Sequence, residues 1–234
     1  MTKKIAVVGA TGRMGKLALD LIEASQDLSV FAALDSSNEL SEAAGADAIF
    51  DVTRLEVSER VVEYAVANSI PVVVGTSGWT AAKLSAIEVA SSSVVVIPNF
   101  SVGSMLATRF AAEAAKFFDS IEIIEAHHAG KVDSPSGTAI RTAELIAKSR
   151  DNAPLVPGVG QQARGELVAG VPIHSLRLQG VSAKQDVILG GASELLTISH
   201  ETSSVQAYSA GILASIRFAM QNKGLFVGLE QVLG

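Results

Sequence analysis

The stretch IAVVGATGRMG, Ile5 to Gly15, restricts the possible folds more than any other part of the chain. Ile5 to Val8 is a solid apolar run, and the KLALDLIEAS that follows the glycines repeats Leu17, Leu21 and Ile22 at helical spacing. Strand, glycine turn and helix in that order open a parallel α/β sheet, and they also make an anion site. Glycine lets backbone N–H groups approach a pyrophosphate, and the helix N-terminus adds partial positive charge. Gly9, Gly12 and Gly15 are spaced G-x-x-G-x-x-G rather than in the commoner G-x-G-x-x-G. Candidate phosphate contacts run from Gly9 through Ala10, Thr11, Gly12 and Arg13 to Met14.

Asp35 closes the next apolar run, where a carboxylate can accept from an adenosine ribose and repel a 2'-phosphate. Ser36 to Glu39 hold no Arg or Lys for such a phosphate, although Arg13 could serve, so NADH and NADPH both stay open. Solid apolar runs recur at 28–34, 48–52, 71–74 and 94–97, with helical stretches at 59–68 and 81–90. Strands of that kind alternating with helices predict a doubly wound parallel sheet covered on both faces. Ligands bind such sheets outside the carboxyl ends of the strands. That rule marks Gly75, Thr76 and Ser77 after one strand, and Ile97, Pro98, Asn99 and Phe100 after the next, for the nicotinamide half. The same residues are also ordinary turn formers.

Beyond Asn99 the pattern changes. Residues 105–118 read as an Ala-rich helix, 121–126 as a strand and 136–149 as a second helix. A Pro- and Gly-rich loop follows, then strand candidates at 173–178, 185–189 and 195–200 with no helix between them, which predicts an α+β domain on a mixed or antiparallel sheet. A helical pattern at 209–220 packs back on the first domain. The division expected is 1–102 with 207–234 for dinucleotide binding, and 103–206 for substrate binding and oligomerisation.

Composition bounds the partners. A net charge of -6 argues against broad capture of nucleic acid or an anionic membrane surface, so an anionic ligand needs a local cluster. The absence of cysteine excludes disulfides and thiolate chemistry and fits a reducing compartment. The N-terminal apolar run ends at Gly9, too short for a signal peptide or a membrane span. A soluble, cytoplasmic protein is expected.

The local cluster is EAHHAGKVDSPSGTA, Glu125 to Ala139. Neighbouring side chains on a strand point to opposite faces, so His127 and His128 share a site only if the strand ends there. Ala129 and Gly130 allow a turn that can bring Lys131 back beside His127. Pro135 favours a helix start, Ser136 or Thr138 can cap it, and the N–H groups around Gly137 can hold a carboxylate. Together these residues suit a small dicarboxylate. A metal site is not expected, because adjacent histidines with no evident third ligand make poor chelate spacing and Asp133 is a weak candidate. His174 and His200 read as structural.

GATGRMG, GTSGW, IPNF and above all EAHHAGKVDSPSGTA resemble the motifs of the bacterial dihydrodipicolinate reductases, in order along nearly the whole chain. The resemblance implies a Rossmann-type domain, a substrate domain, and a homotetramer built through the substrate domain's sheet. It implies NADH and/or NADPH as cofactor, with hydride transfer to an unsaturated cyclic dicarboxylate after its hydroxyl leaves as water. It matches His127 to the general acid, Lys131 to the residue assisting it, and His128, Lys131, Ser136, Gly137 and Thr138 to carboxylate contacts. Ser77 stands where Thr is usual. Two other readings stay open: a different two-domain dehydrogenase of an amino acid or semialdehyde, and an NAD(H)-sensing protein without turnover.

Overall fold

The computed structural model describes residues 2–89, 91–156 and 161–234. It divides into two compact units, Met1–Val102 with Val205–Gly234, and Gly103–Ser204.

In the first unit the strands are β1 (Lys3–Val8), β2 (Leu28–Leu34), β3 (Ala48–Asp51), β4 (Val72–Val74) and β5 (Ser93–Val96), joined by β11 (Gly224–Val227) from the far end of the chain. They form one parallel sheet in the order β11-β5-β4-β3-β1-β2. The helices are α1 (Arg13–Glu23), α2 (Leu55–Ala67), the short α3 (Ala81–Ser85), α6 (Ser209–Gln221) and the terminal α7 (Glu230–Leu233). Ala6, Val8, Ile49, Val72, Val74, Val94 and Val96 form one core cluster with Val61, Val62 and Ala65 of α2. The alternate residues Ile5, Val7, Phe50, Val73 and Val95 are equally inaccessible, on the side where α1 and α6 pack. Burial on both faces is why these strands read as unbroken apolar runs. Each Val, Ile or Phe among them contributes about 1.5–3 kcal/mol of transfer free energy.

The order places β1 between β2 and β3, where the winding reverses, so the glycine turn after β1 stands at the sheet's switch point. α6 is fastened from one end of the chain to the other: Arg217 donates twice to Asp27 at 2.8 Å, and Phe218 meets Phe226 edge-on at 4.9 Å.

The second unit contains α4 (Val102–Ala114, beginning in the first unit), β6 (Ser120–His128), α5 (Gly137–Ser149), β7 (Glu166–Val168), β8 (Val171–Leu178), β9 (Ala183–Gly190) and β10 (Leu195–Thr202). Its sheet runs β10-β9-β6-β8-β7, with β6 parallel to β8 and antiparallel to β9. Ile121, Ile123, Ile173, Val187 and Leu189 pack with Ala111, Ala115, Ala139, Ala143 and Ile146 of α4, the turn after it and α5. Within this core Thr142 Oγ1 meets Thr108 Oγ1 and accepts from Gln185 Nε2, each at 3.0 Å. The other face of the sheet carries exposed Leu176, Leu178 and Leu195.

Several boundaries differ from the sequence expectation. α2 starts four residues early, at Leu55, and α3 stops at Ser85, after which Ile87 and Val89 pack on the core instead of extending the helix. The last residue of that expected helix, Ala90, and residues 157–160 of the expected long loop lie outside the described residues. β7 emerges from the same loop, paired to β8 through a turn at Ala169 and Gly170, both at positive φ. β11 was not anticipated, and β6 runs on through both histidines.

Candidate active site

In the first unit the glycine turn folds by necessity. Gly9 has φ +88°, and a Cβ there would stand 2.7 Å from the Val52 carbonyl oxygen; at Gly15 it would stand 2.2 Å from Gly9 O. The N–H groups of Gly9 and Ala10 donate to Leu34 O at 2.9 and 3.0 Å, and Gly12 N–H donates to Gly9 O at 3.1 Å. Those three donors therefore serve the turn itself. Donors aimed outward come instead from the start of α1, at Arg13 and Met14, whose N–H groups have no intrahelical acceptor. Gly12 brings no side chain to cap them, and no acidic residue lies in the first turn. Thr11, Gly12 and Arg13 are exposed and Met14 is half-buried.

Asp35 follows β2 directly. Its Oδ1 accepts from the Ser37 N–H at 2.9 Å and the Ser37 hydroxyl at 2.7 Å, and these bonds hold its pKa below the ordinary carboxylate value. It is an anion held beside the glycine turn, since Leu34 supplies the carbonyl that the turn uses.

The ends of β3, β4 and β5 are stitched together: Gly75 N–H donates to Asp51 O and Ile97 N–H to Val74 O, both at 2.8 Å. Beneath them lies a carboxylate that sequence reasoning missed. Asp51, fully buried, accepts from Thr53 N–H (3.1 Å), Thr53 Oγ1 (2.6 Å), Thr76 Oγ1 (3.1 Å) and the Ser58 hydroxyl. Trp79 Nε1 donates to the same Ser58 oxygen at 3.1 Å. Burial pushes the Asp51 pKa up, because its hydrogen bonds come from neutral donors and only partly offset desolvation. Thr76 thus turns its hydroxyl inward, while Ser77 and Pro98 are exposed. The Asn99 side chain accepts from Ser101 N–H at 2.9 Å, and Phe100 is buried against Phe50 at 5.6 Å between ring centroids. Tyr208 was also missed: burial raises its phenol pKa, and the nearby Arg13 charge opposes that.

In the second unit the pleat distinguishes the two histidines. Because β6 stays extended to His128, Glu125 and His127 share the face that carries Ile121 and Ile123, while His128 alternates to the other and is exposed. His127 Nδ1 lies 2.5 Å from Glu125 Oε2. Glu125 is fully buried and grips Arg177 in two bonds of 3.0 Å, from Nη1 to Oε2 and from Nη2 to Oε1. The Ser136 N–H reaches Glu125 Oε1 at 3.3 Å. Burial pushes the Glu125 pKa up, but Arg177, Ser175 and His127 outweigh it and hold it below the ordinary value. Burial lowers the His127 pKa; the Glu125 carboxylate opposes this, and the Lys131 and Arg177 charges reinforce it.

Lys131 returns through a turn closed by its own N–H to His128 O at 3.0 Å, and its ammonium pairs with Asp133 at 2.7 Å. Arg177 Nη2 also donates to Asp133 O at 2.6 Å, fixing that loop. Ser136 caps α5, its Oγ accepting from Ala139 N–H at 3.2 Å, and Gly137 and Thr138 form the first helical turn. Of the residues expected here, His127, Lys131, Ser136, Gly137 and Thr138 are thus gathered at one end of β6, and His128 lies across the sheet from the Glu125 side. Glu125 and Arg177 were not anticipated, although Glu125 could have been found from its i, i+2 relation to His127 on a strand. Among the described residues, no group of three or more His, Asp or Glu could hold a metal ion. None of the helices described is long and apolar enough to cross a membrane.

Comparison with known proteins agrees along the whole chain. Residues 3–100 match the family model for the N-terminus of dihydrodipicolinate reductase, and residues 103–233 match the model for its C-terminus. The 4-hydroxy-tetrahydrodipicolinate reductase of Clavibacter sepedonicus is 54% identical over 240 residues, covering 100% of this chain and 87% of the relative. That of Streptomyces griseus is 40% identical over 243 residues, covering 98% and 97%. The dipicolinate-bound dihydrodipicolinate reductase of Paenisporosarcina sp. TG-14 superimposes with a TM-score of 0.81 at 30% identity, covering 99% of each chain. The chain belongs to the dihydrodipicolinate reductase family.

Proposed function

We propose that the chain reduces 4-hydroxy-tetrahydrodipicolinate to tetrahydrodipicolinate with loss of water, using NADH or NADPH, in diaminopimelate and L-lysine biosynthesis. The observation that carries this is the family match over both units, joined to a buried Glu125 bonded to the half-buried His127 beside Lys131 and the α5 cap. The cofactor carries the hydride, and the protein supplies binding, orientation and the proton.

In this reading the turn of residues 9–14 seats the pyrophosphate at the start of α1, against the Arg13 and Met14 N–H groups, Asp35 receives the adenosine ribose, and residues 75–77 and 97–100 face the nicotinamide half. Thr76 contributes through its backbone, because its hydroxyl is held by Asp51. His127 donates the proton. Lys131 and the N–H groups at Ser136, Gly137 and Thr138 receive the carboxylates, an anion at a helix N-terminus being favoured by the peptide dipoles. His128 is assigned to the substrate by family resemblance alone. The uncovered leucine-bearing face of the second sheet supports a homotetramer joined there, since exposed apolar faces are covered by partners in soluble assemblies. A cytoplasmic location fits the absence of cysteine.

Steady-state kinetics with NADH and NADPH on freshly generated cyclic substrate, with a semialdehyde as control, test this function. Cofactor oxidation is expected with the cyclic dicarboxylate and not with the semialdehyde. Binding of NADH without turnover on either would leave the sensing reading in its place.

A further inference from the structure

Glu125 contributes a fully buried charge to β6 in a position where an apolar side chain would pack, and a buried carboxylate persists only where its partners offset desolvation. Besides the Ser175 side chain, its partners divide by oxygen. Oε1 accepts from Arg177 Nη2 and the Ser136 N–H, while Oε2 accepts from Arg177 Nη1 and stands 2.5 Å from His127 Nδ1. Arg177 is itself fixed, donating from Nη1 to Leu176 O at 2.7 Å and from Nη2 to Asp133 O. An ionised carboxylate is only an acceptor, so the bond to His127 requires the hydrogen on Nδ1.

We propose that Glu125, clamped by Arg177, is the positioning residue that fixes His127 in the Nδ1–H tautomer and reserves Nε2 as the atom that carries the transferable proton. The inference rests on His127 as the proton donor named above. The imidazolium then gives its Nε2 proton to the substrate, the N–H bond breaking as the new bond to substrate forms. The neutral ring that remains already has its hydrogen on Nδ1 against Glu125, so neither ring nor carboxylate has to rearrange before Nε2 is reprotonated from solvent.

Arg177 does a second thing. A lone carboxylate would hold the imidazolium tightly, whereas Glu125 shares its charge with Arg177, and Lys131 adds a further cation nearby. Among the described residues, the charged groups facing His127 are Glu125 on β6, Arg177 on β8 and Lys131 with Asp133 in the turn. Its register partner on β9 is Ala183, and the start of α5 brings uncharged Ser136, Gly137 and Thr138. The ring is thereby oriented by an anion without being locked in its charged form.

Imidazole nitrogen spectra of the intact wild-type chain, with His127 assigned by loss of its signals in His127→Ala, read the tautomer directly. Above neutral pH the expected pattern is a protonated Nδ1 and an unprotonated Nε2; the reverse overturns the proposal. This reading needs no turnover, so a failure of the proposed reaction leaves it distinguishable. Where Glu125→Gln folds, kcat is expected to fall on the order of 10²–10⁴-fold with the KM for NADH unchanged. In the His127→Ala background the same substitution should cost no further kcat; full additivity there would make Glu125 structural and overturn the assignment.

Discussion

Among the described residues each unit buries one carboxylate, Asp51 at the end of β3 and Glu125 within β6, and the two are treated in opposite ways. Asp51 is surrounded by hydroxyls and a backbone N–H, with no cation among its partners, and its pKa is driven up. Glu125 is as deeply buried but meets a guanidinium and an imidazole, and its pKa is driven down. Burial is common to both, so the sign is set by whether charge or only neutral dipoles answer it. In the proposed function, Asp51 fastens the turns assigned to the cofactor, and Glu125 addresses the side chain assigned to the proton. A binding edge needs shape, and a proton donor needs an oriented ring in a set field.

The contrast predicts unequal consequences. His127→Ala should lower kcat by about 10²–10⁴-fold while the Kd for NADH stays within about twofold, measured by turnover and by cofactor titration. Equal losses in both would dissolve the division of labour between the units.

Arg177→Ala should be the most damaging change to folding, about 3–5 kcal/mol by denaturant unfolding, because it strands Glu125 as an uncompensated buried charge. The pH dependence follows from the same pair. Since the folded pKa of Glu125 lies below its unfolded value of about 4.3, its contribution is present above that pH and is lost as pH falls through the folded pKa. Without Arg177 that acid limb should flatten; an unchanged limb would mean that the cation is not what depresses the Glu125 pKa.

Asp51→Asn should be the mildest, within about 1 kcal/mol near neutral pH. A raised folded pKa contributes stability below the unfolded value of about 3.9 and loses it as pH rises through the folded pKa. Asn removes that loss, so the variant should gain on the wild type as pH increases, as thermal unfolding at several pH values can follow. A gap widening against the variant would place a cation near Asp51.

The same contrast explains what the sequence could reveal. The first unit was legible because its devices are local: strand, turn and helix succeed one another, and the crowding at Gly15 comes from Gly9 and Ala10, although that at Gly9 comes from Val52 of a later strand end. Which N–H groups the turn consumes was not legible, since Gly9 and Ala10 spend theirs on Leu34 of the next strand. β11 was not legible because Gly224 to Val227 are only four half-buried residues, too short a run to show a period, and only pairing with β5 makes them a strand. In the second unit the His-His-Lys cluster and the Ser136 cap stood out, while Arg177, 52 residues beyond Glu125, carried no local mark at all. The choice between the histidines was a question of where β6 ends, which its pairing with β8 and β9 decides.

Mass analysis of the reduced product, formed from cofactor deuterated at the transferable position, tests most directly whether the first unit delivers a hydride and the second a proton. In ordinary water the product should gain one deuterium from the cofactor and one hydrogen from solvent, and His127→Ala should slow its formation without changing that origin. Cofactor that binds but leaves no deuterium in the cyclic dicarboxylate would contradict the account.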